Sequence, residues 1–306
     1  MSTAVSRVDA SRAKNVFSET ARSAKAAKRL LSDIRELVSG ITARVAEIEA
    51  GRRIPLDLVE ALRSIGVFRM FAPQSHGGLE LDLPSGLEII AALGRIDGSV
   101  GWSAMIGSVG GAFAPSLPRE TYERIYRNGP DVIIAGSIQP VGTAEATSGG
   151  WRVSGRWPFA SGCQHADWMV GFCVMTEGGK PLPAEEGRPL IRGVFLPAGD
   201  WQIEDTWYSM GLKGTGSHHI GLKDKLVPAA NFFDFEMACR AYPDRSIKPY
   251  RTFCRYSTAP SVSVWPRVRW TISSCLQIPA GSSSAPPCQC GKRRSSSSNS
   301  AVSQPI

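Results

Sequence analysis

No run of 18 or more apolar residues occurs in the 306-residue chain, so no segment reads as a membrane-spanning helix. The stretch from Met1 to Lys14 is polar and lacks the apolar centre of a secretion signal. Together these absences predict a cytoplasmic protein with no membrane partner. Cysteine or histidine pairs at metal-ligand spacing are missing too. Cys288 and Cys290 stand one residue apart with no second pair to complete a site, which predicts free thiols and no metal. Acidic residues stop at Asp244. Of the 35 basic residues, eight follow Arg245 (Lys248, Arg251, Arg255, Arg267, Arg269, Lys292, Arg293 and Arg294), and the remaining 27 match the 27 acidic ones. The formal charge of +8 therefore belongs to the tail, and no basic face for nucleic acid is implied elsewhere. A phosphate-binding P-loop is also absent. The glycines between Gly211 and Ser217 do not open a helix, as a dinucleotide fingerprint must.

What the chain does contain falls into successive parts. After a disordered N-terminus over residues 1–14, residues 15–130 carry a helical period. Leu30, Leu31, Ile34, Leu37, Val38, Ile41, Val45 and Ile48 form the stripe of an amphipathic helix that ends at Gly51. Pro55 opens the next helix, where its missing N–H costs nothing, and Gly66 closes it. Further helices are expected over 83–95, 98–113 and 119–128. From Asp131 the period shortens, and 132–136, 150–155, 168–175, 190–196, 201–207 and 219–226 read as strands between Gly, Pro and Ser turns. Short strands at this spacing predict a compact β-barrel or sandwich over 131–236. Helices first and strands second make an α+β chain and exclude a doubly wound nucleotide fold. Residues 237–306 hold many serines and no sustained period, and read as an aberrant or disordered tail.

Chemistry concentrates in the middle region. Gly149 to Cys163 is a strand, a turn and a second strand ending in Ser161-Gly162. Asp205-Thr206-Trp207 follows, and then Gly211-Leu212-Lys213-Gly214-Thr215-Gly216-Ser217. Glycines there let the backbone approach a ligand, and Thr215 and Ser217 can donate hydrogen bonds. By residue chemistry alone this is a helical domain and a β-domain with an aromatic-rich polar cleft.

Taken together, Gly155-Arg156-Trp157-Pro158-Phe159-Ala160-Ser161-Gly162-Cys163, Asp205-Thr206-Trp207 and Gly211 to Ser217 resemble the acyl-CoA dehydrogenase superfamily. Within it they resemble the oxygenase components of two-component flavin-dependent monooxygenases, of the hydroxyphenylacetate and steroid-phenol hydroxylase type. Ala72-Pro73-Gln74-Ser75-His76-Gly77-Gly78 is similar to the family's proline and double-glycine turn. Asp97-Gly98-Ser99-Val100-Gly101-Trp102 is similar to its Asp-x-Ser-x-x-Trp helix start. The resemblance implies an acyl-CoA dehydrogenase-like fold: a helical N-terminal domain, a β-barrel and a C-terminal four-helix bundle. Reduced flavin, FMN or FAD, would lie between barrel and bundle. By the same resemblance Ser161 is the catalytic residue, beside flavin N5, with Trp157 and Phe159 near the ring. Ser137 and Gln139 would line the flavin, and Trp102 and Trp207 would wall the pocket. A flavin reductase would supply reduced flavin, dioxygen would hydroxylate a small aromatic substrate, and the full-length protein would be a homotetramer. The family's phenol hydroxylases offer a His from the helix after this Trp. Gly107-Ser108-Val109-Gly110-Gly111 stands there instead, which speaks against a phenol. His165 and the pair His218-His219 are expected at turns or on the surface. The alternatives are an acyl-CoA dehydrogenase-type flavin dehydrogenase, which needs a carboxylate to take the α-proton, and an inactive truncated remnant.

The tail changes character in a shifted frame. Tryptophan has one codon, so the last base of each codon taken with the first two of the next turns Trp265-Pro266 into Ala and Trp270-Thr271 into Asp. The codons of Val264 to Ile272 then permit Leu-Ala-Ser-Gly-Ala-Leu-Asp-Asp, similar to the opening of the family's bundle. Ser296 to Ile306 permits Val-Val-Glu-Leu-Gly-Arg-Leu-Ala-Ala-Asp, similar to a bundle helix. A frameshift near Ser246–Thr252 is therefore expected, with the four-helix bundle missing as its result.

Overall fold

The computed structural model describes residues 3–112, 116–184 and 187–234, and the expectations for 237–306 lie outside them. Among the described residues six α-helices precede eight strands, the expected order. The helices are α1 (Thr3–Thr42), α2 (Val45–Gly51), α3 (Leu56–Ile65), α4 (Leu83–Ile96), α5 (Gly98–Val109) and α6 (Arg119–Ile125). α1 takes in residues 3–14, which the sequence reading left outside the helices. No Gly or Pro precedes Gly40, and Ala, Arg and Lys favour the helix. The single stripe expected up to Gly51 breaks at Ala43–Arg44, where the Arg44 guanidinium turns to the carboxylates of Glu47 and Asp57. Side chains of Asp82 and Asp97 cap α4 and α5 by accepting from Ser85 N (2.8 Å) and Val100 N (2.9 Å). Leu30, Ile34, Ile41, Ile48, Leu62, Ile89, Leu93 and Val100 form the buried core of this layer.

The strands are β1 (Ile134–Thr147), β2 (Gly150–Ala160), β3 (Trp168–Glu177), β4 (Lys180–Pro181), β5 (Ile191–Pro197), β6 (Gln202–Glu204), β7 (His218–Val227) and β8 (Phe232–Phe233). They form one mixed sheet ordered β6-β7-β2-β1-β3-β5-β8, with β4 paired to β3. β1 and β3 run parallel and the other named pairs antiparallel. The sheet coils strongly. Trp151 on β2 and Phe232 on β8 are four strands apart, about 19 Å in a flat sheet, yet their ring centroids lie 6.1 Å apart. The sheet thus wraps its core as a barrel-like sheet domain, and its end strands, three and two residues long, do not pair with each other among the described residues.

Trp157 fills the centre of that wrap. Glycines from three strands, Gly142, Gly155 and Gly171, face its indole. A Cβ on any of them would stand 2.1, 2.7 or 2.8 Å from the ring. Its Nε1 donates to Phe172 O at 2.8 Å, so the ring is both packed and satisfied. Val170, Phe172, Phe195 and Phe233 form a second cluster with Tyr122, Ile125 and Tyr126 in and just after α6. Charge ties the two layers together. Arg63 of α3 donates to Asp131 O and to the Asp167 carboxylate, which also accepts the Ile133 N–H at 2.8 Å. No helix among the described residues is long and apolar enough to cross a membrane.

Candidate active site

The seam between α5 and the end of β2 holds the candidate site. Pairing of β2 with β7 slips between Trp157 and Ala160. Phe159, at the slip, adopts the left-handed region (φ 61°), rare for a bulky residue and costing ~1–3 kcal/mol. The slip buries Trp157, leaves Phe159 54% exposed and carries Ser161 to α5. Gly162, also at positive φ (74°), turns the chain away and donates its N–H to Thr215 O at 2.8 Å.

There the side chains join in series. Trp102 Nε1 donates to Ser161 Oγ at 3.0 Å, Ser161 Oγ meets Ser217 Oγ at 2.7 Å, and Ser217 Oγ meets Thr215 Oγ1 at 2.7 Å. Thr215 Oγ1 ends the series by donating to Leu212 O at 2.8 Å. All three hydroxyl residues are buried. Leu212 has φ 54°, and its carbonyl also receives Trp207 Nε1 at 3.1 Å. Gly214 lets this turn lie on the helices: a Cβ there would stand 2.1 Å from Ile48 Cγ2 and 2.9 Å from Ser99 Cβ.

Outside the hydroxyl series stands an aromatic wall with its own support. Phe159 meets Trp207 and His219 edge to face, at 6.3 and 6.4 Å between centroids. Arg52, just past α2, grips the Asp205 carboxylate with both terminal nitrogens (2.5 and 2.9 Å), accompanied by Tyr208 OH at 2.8 Å. Arg52 holds that carboxyl well below the usual carboxylate range. It also donates to Trp207 O at 3.2 Å. From within, His218 Nδ1 accepts the N–H groups of Thr206 and Trp207, both at 3.2 Å. Acceptance requires a neutral ring, and burial pushes the His218 pKa below its ordinary value, against the opposing pull of Asp205.

Behind Ser161 lies a cavity of about 10 Å³, walled by Val59, Leu62, Phe68, Ala104, Gly107 and Ile133, with Ser103 and His165 on its lining. Ser103 Oγ and both His165 ring nitrogens are buried and have no hydrogen-bond partner among the described residues. Burial, with Arg53 nearby, pushes the His165 pKa down to about 4.

The structure thus brings together Trp102, Phe159, Ser161 and Trp207 among the anticipated residues. It removes Trp157, whose indole points into the sheet core and shows no surface to a ligand. Ser137 is the last residue of β1 paired before a bulge of four residues against one on β3, and Gln139 is exposed on that bulge. Among the described residues no hydrogen bond joins either to Ser161. His218 is a correction: it opens β7 buried, not at the surface. His165 is in a 3-10 turn as expected, but its ring nitrogens are buried. Ser217, Thr215, Leu212, Arg52 and His218 were not assigned to the site. The Gly211 to Ser217 motif already held three of them, whereas nothing local marks Arg52 as a partner of Asp205, 153 residues away.

Residues 25–116 match the family described as acyl-CoA dehydrogenase, N-terminal domain. An indole-3-acetate monooxygenase from Acinetobacter baumannii is 38% identical over 233 residues, 76% of this chain and 56% of that protein. The oxygenase subunit HsaA of a flavin-dependent monooxygenase from Mycobacterium tuberculosis is 34% identical, over 69% of this chain and 52% of its own length. The solved structure of XiaF from a Streptomyces species, in complex with FADH2 and glycerol, superposes with a TM-score of 0.66 at 28% identity. That match covers 73% of this chain and 54% of XiaF. The chain spans about half the length of the curated relatives it matches. Residues 25–116 thus resemble the acyl-CoA dehydrogenase N-terminal domain, and the chain is similar over about half of their length to the oxygenase components of flavin-dependent monooxygenases.

Proposed function

We propose that this chain acts as an oxygenase component, taking reduced flavin (FMN or FAD) from a flavin reductase and using dioxygen to hydroxylate a small aromatic substrate. The observation that carries the reading is the Trp102–Ser161–Ser217–Thr215 series beside an exposed aromatic wall. The donor set fits a flavin: an isoalloxazine needs a flat apolar neighbour and a few polar atoms at its edge. Phe159 and Trp207 offer the first, Ser161 and Trp102 the second, and a Cβ at Gly162 would meet nothing within 4 Å. Ser137 and Gln139, at and on the β1 bulge, would line the cofactor further along. Names of relatives support the substrate class, since one is an indole-3-acetate monooxygenase.

Reduced flavin, when bound, supplies the two electrons with which dioxygen gives one atom to the substrate and the other to water. The chain's own residues orient and protect. Ser161 presents a fixed polar atom, and Trp102 holds it in place. Arg52 and His218 hold the Trp207 backbone from two sides, so the aromatic wall can keep water out. The test is isotopic. With a reductase, NADH and ¹⁸O₂, an indole or phenol panel should yield a product carrying one labelled oxygen. Hydrogen peroxide as the sole product from every substrate contradicts the reading.

A further inference from the structure

The hydrogen-bond series has a direction forced by proton counting. A hydroxyl carries one hydrogen and two acceptor positions, a carbonyl only accepts, and an indole N–H only donates. Thr215 spends its hydrogen on Leu212 O. In the 2.7 Å contact with Ser217, Thr215 must therefore accept, and Ser217 must donate. Ser217 then has no hydrogen left for Ser161, so Ser161 donates to Ser217. At its other side Ser161 accepts from Trp102 Nε1. One lone pair remains on Ser161 Oγ. Whatever meets it must bring a hydrogen.

We infer that Thr215, acting through Ser217, is a positioning residue that locks Ser161 as a hydrogen-bond acceptor and so makes the seam select reduced over oxidised flavin. The inference rests on the flavin reading above, with flavin N5 facing Ser161, and adds to it the residues that hold Ser161 in its accepting role. Reduced flavin bears a hydrogen on N5 and can donate to Ser161. Oxidised flavin presents a bare lone pair at N5, which would face the Ser161 lone pair. Reversing the series would take Thr215 off the Leu212 carbonyl and turn three buried hydroxyls at once. Leu212 O is itself pinned, because it also receives Trp207 Nε1 and the Thr215 N–H.

The experiment is anaerobic equilibrium binding of reduced and oxidised FMN and FAD to the 306-residue chain, alongside the variants Thr215→Val and Thr215→Ser. The wild type should favour the reduced form by about tenfold or more, the scale of one hydrogen bond made against one refused. In Thr215→Val, Ser217 loses its acceptor and can donate back to Ser161, which is then free to donate outward. The preference should fall by about tenfold, equivalent to about 30 mV in the two-electron potential of the bound flavin. Thr215→Ser keeps the hydroxyl and should restore the preference, which a merely packing role for Thr215 would not do. Equal affinity for the two redox forms in the wild type overturns the inference while leaving the flavin site intact. An unchanged ratio in Thr215→Val also overturns it. Failure of either redox form to bind overturns the flavin reading and the inference together.

Discussion

Trp157 and Ser161 are four residues apart on one strand end, and their surroundings differ in kind. The demands of Trp157 itself are met: three glycines make room for the ring, Trp201 packs edge-on at 5.2 Å, and Nε1 reaches a carbonyl. Around Ser161 demands are left open. Phe159 is strained and exposed, and among the described residues one lone pair of Ser161 stays spare and His165 and Ser103 are buried unpaired. Natural folds concentrate such local inconsistencies where function needs them. The sheet interior therefore reads as a scaffold and the seam as the place that awaits a ligand.

The comparison is broken most forcefully at Trp157. Trp157→Ala should cost ~3–5 kcal/mol, the usual range for emptying a packed aromatic site, read as a lower urea midpoint at unchanged slope. A loss below about 1 kcal/mol would mean that the interior is not the rigid partner described.

Acid should find the seam before the interior. His165 has an ordinary pKa of 6.5, pushed down to about 4 in the fold. Above 6.5 the ring is neutral folded or unfolded, so it contributes no pH dependence. As pH falls from 6.5 towards 4, only the unfolded chain takes up the proton, and stability declines by up to ~3 kcal/mol. Melting temperature should drop across that window, and His165→Gln should flatten the slope. A flat wild-type profile between pH 6.5 and 4 would show that the ring is solvated or already paired.

Phe159 sharpens the contrast at smaller scale. Its φ of 61° suits glycine, and its side chain is half exposed. Phe159→Gly should cost little stability or raise it by ~1 kcal/mol, while weakening flavin binding severalfold through loss of the aromatic wall. Destabilisation by more than 1 kcal/mol would assign the ring a structural duty instead.

Much of the fold was legible because its signals are local. Asp97 before Gly98 marks a helix start, Gly66 marks a helix end, and the change of period at Asp131 separates the layers. The resemblance also pointed to Trp102 and Ser161, which the fold places 3.0 Å apart. What stayed hidden depends on register and distance. Alternation along β2 cannot reveal that a slip at Phe159 sends Trp157 inward. The coiling of the sheet brings together strands far apart in its order, and its end strands are too short to announce themselves. Leu212 gave no sign of its left-handed backbone, since leucine is not a residue expected there. Arg52 and Asp205 meet only after folding brings the end of α2 to the loop after β6.

The central claim is that the Trp102–Ser161 seam is the flavin site. Crystals of the 306-residue chain soaked anaerobically with reduced FMN or FAD test it directly, by difference density. The account predicts an isoalloxazine with N5 within hydrogen-bond distance of Ser161 Oγ and Phe159 and Trp207 along its edge. Flavin density elsewhere on the chain, with the seam unchanged, would contradict it.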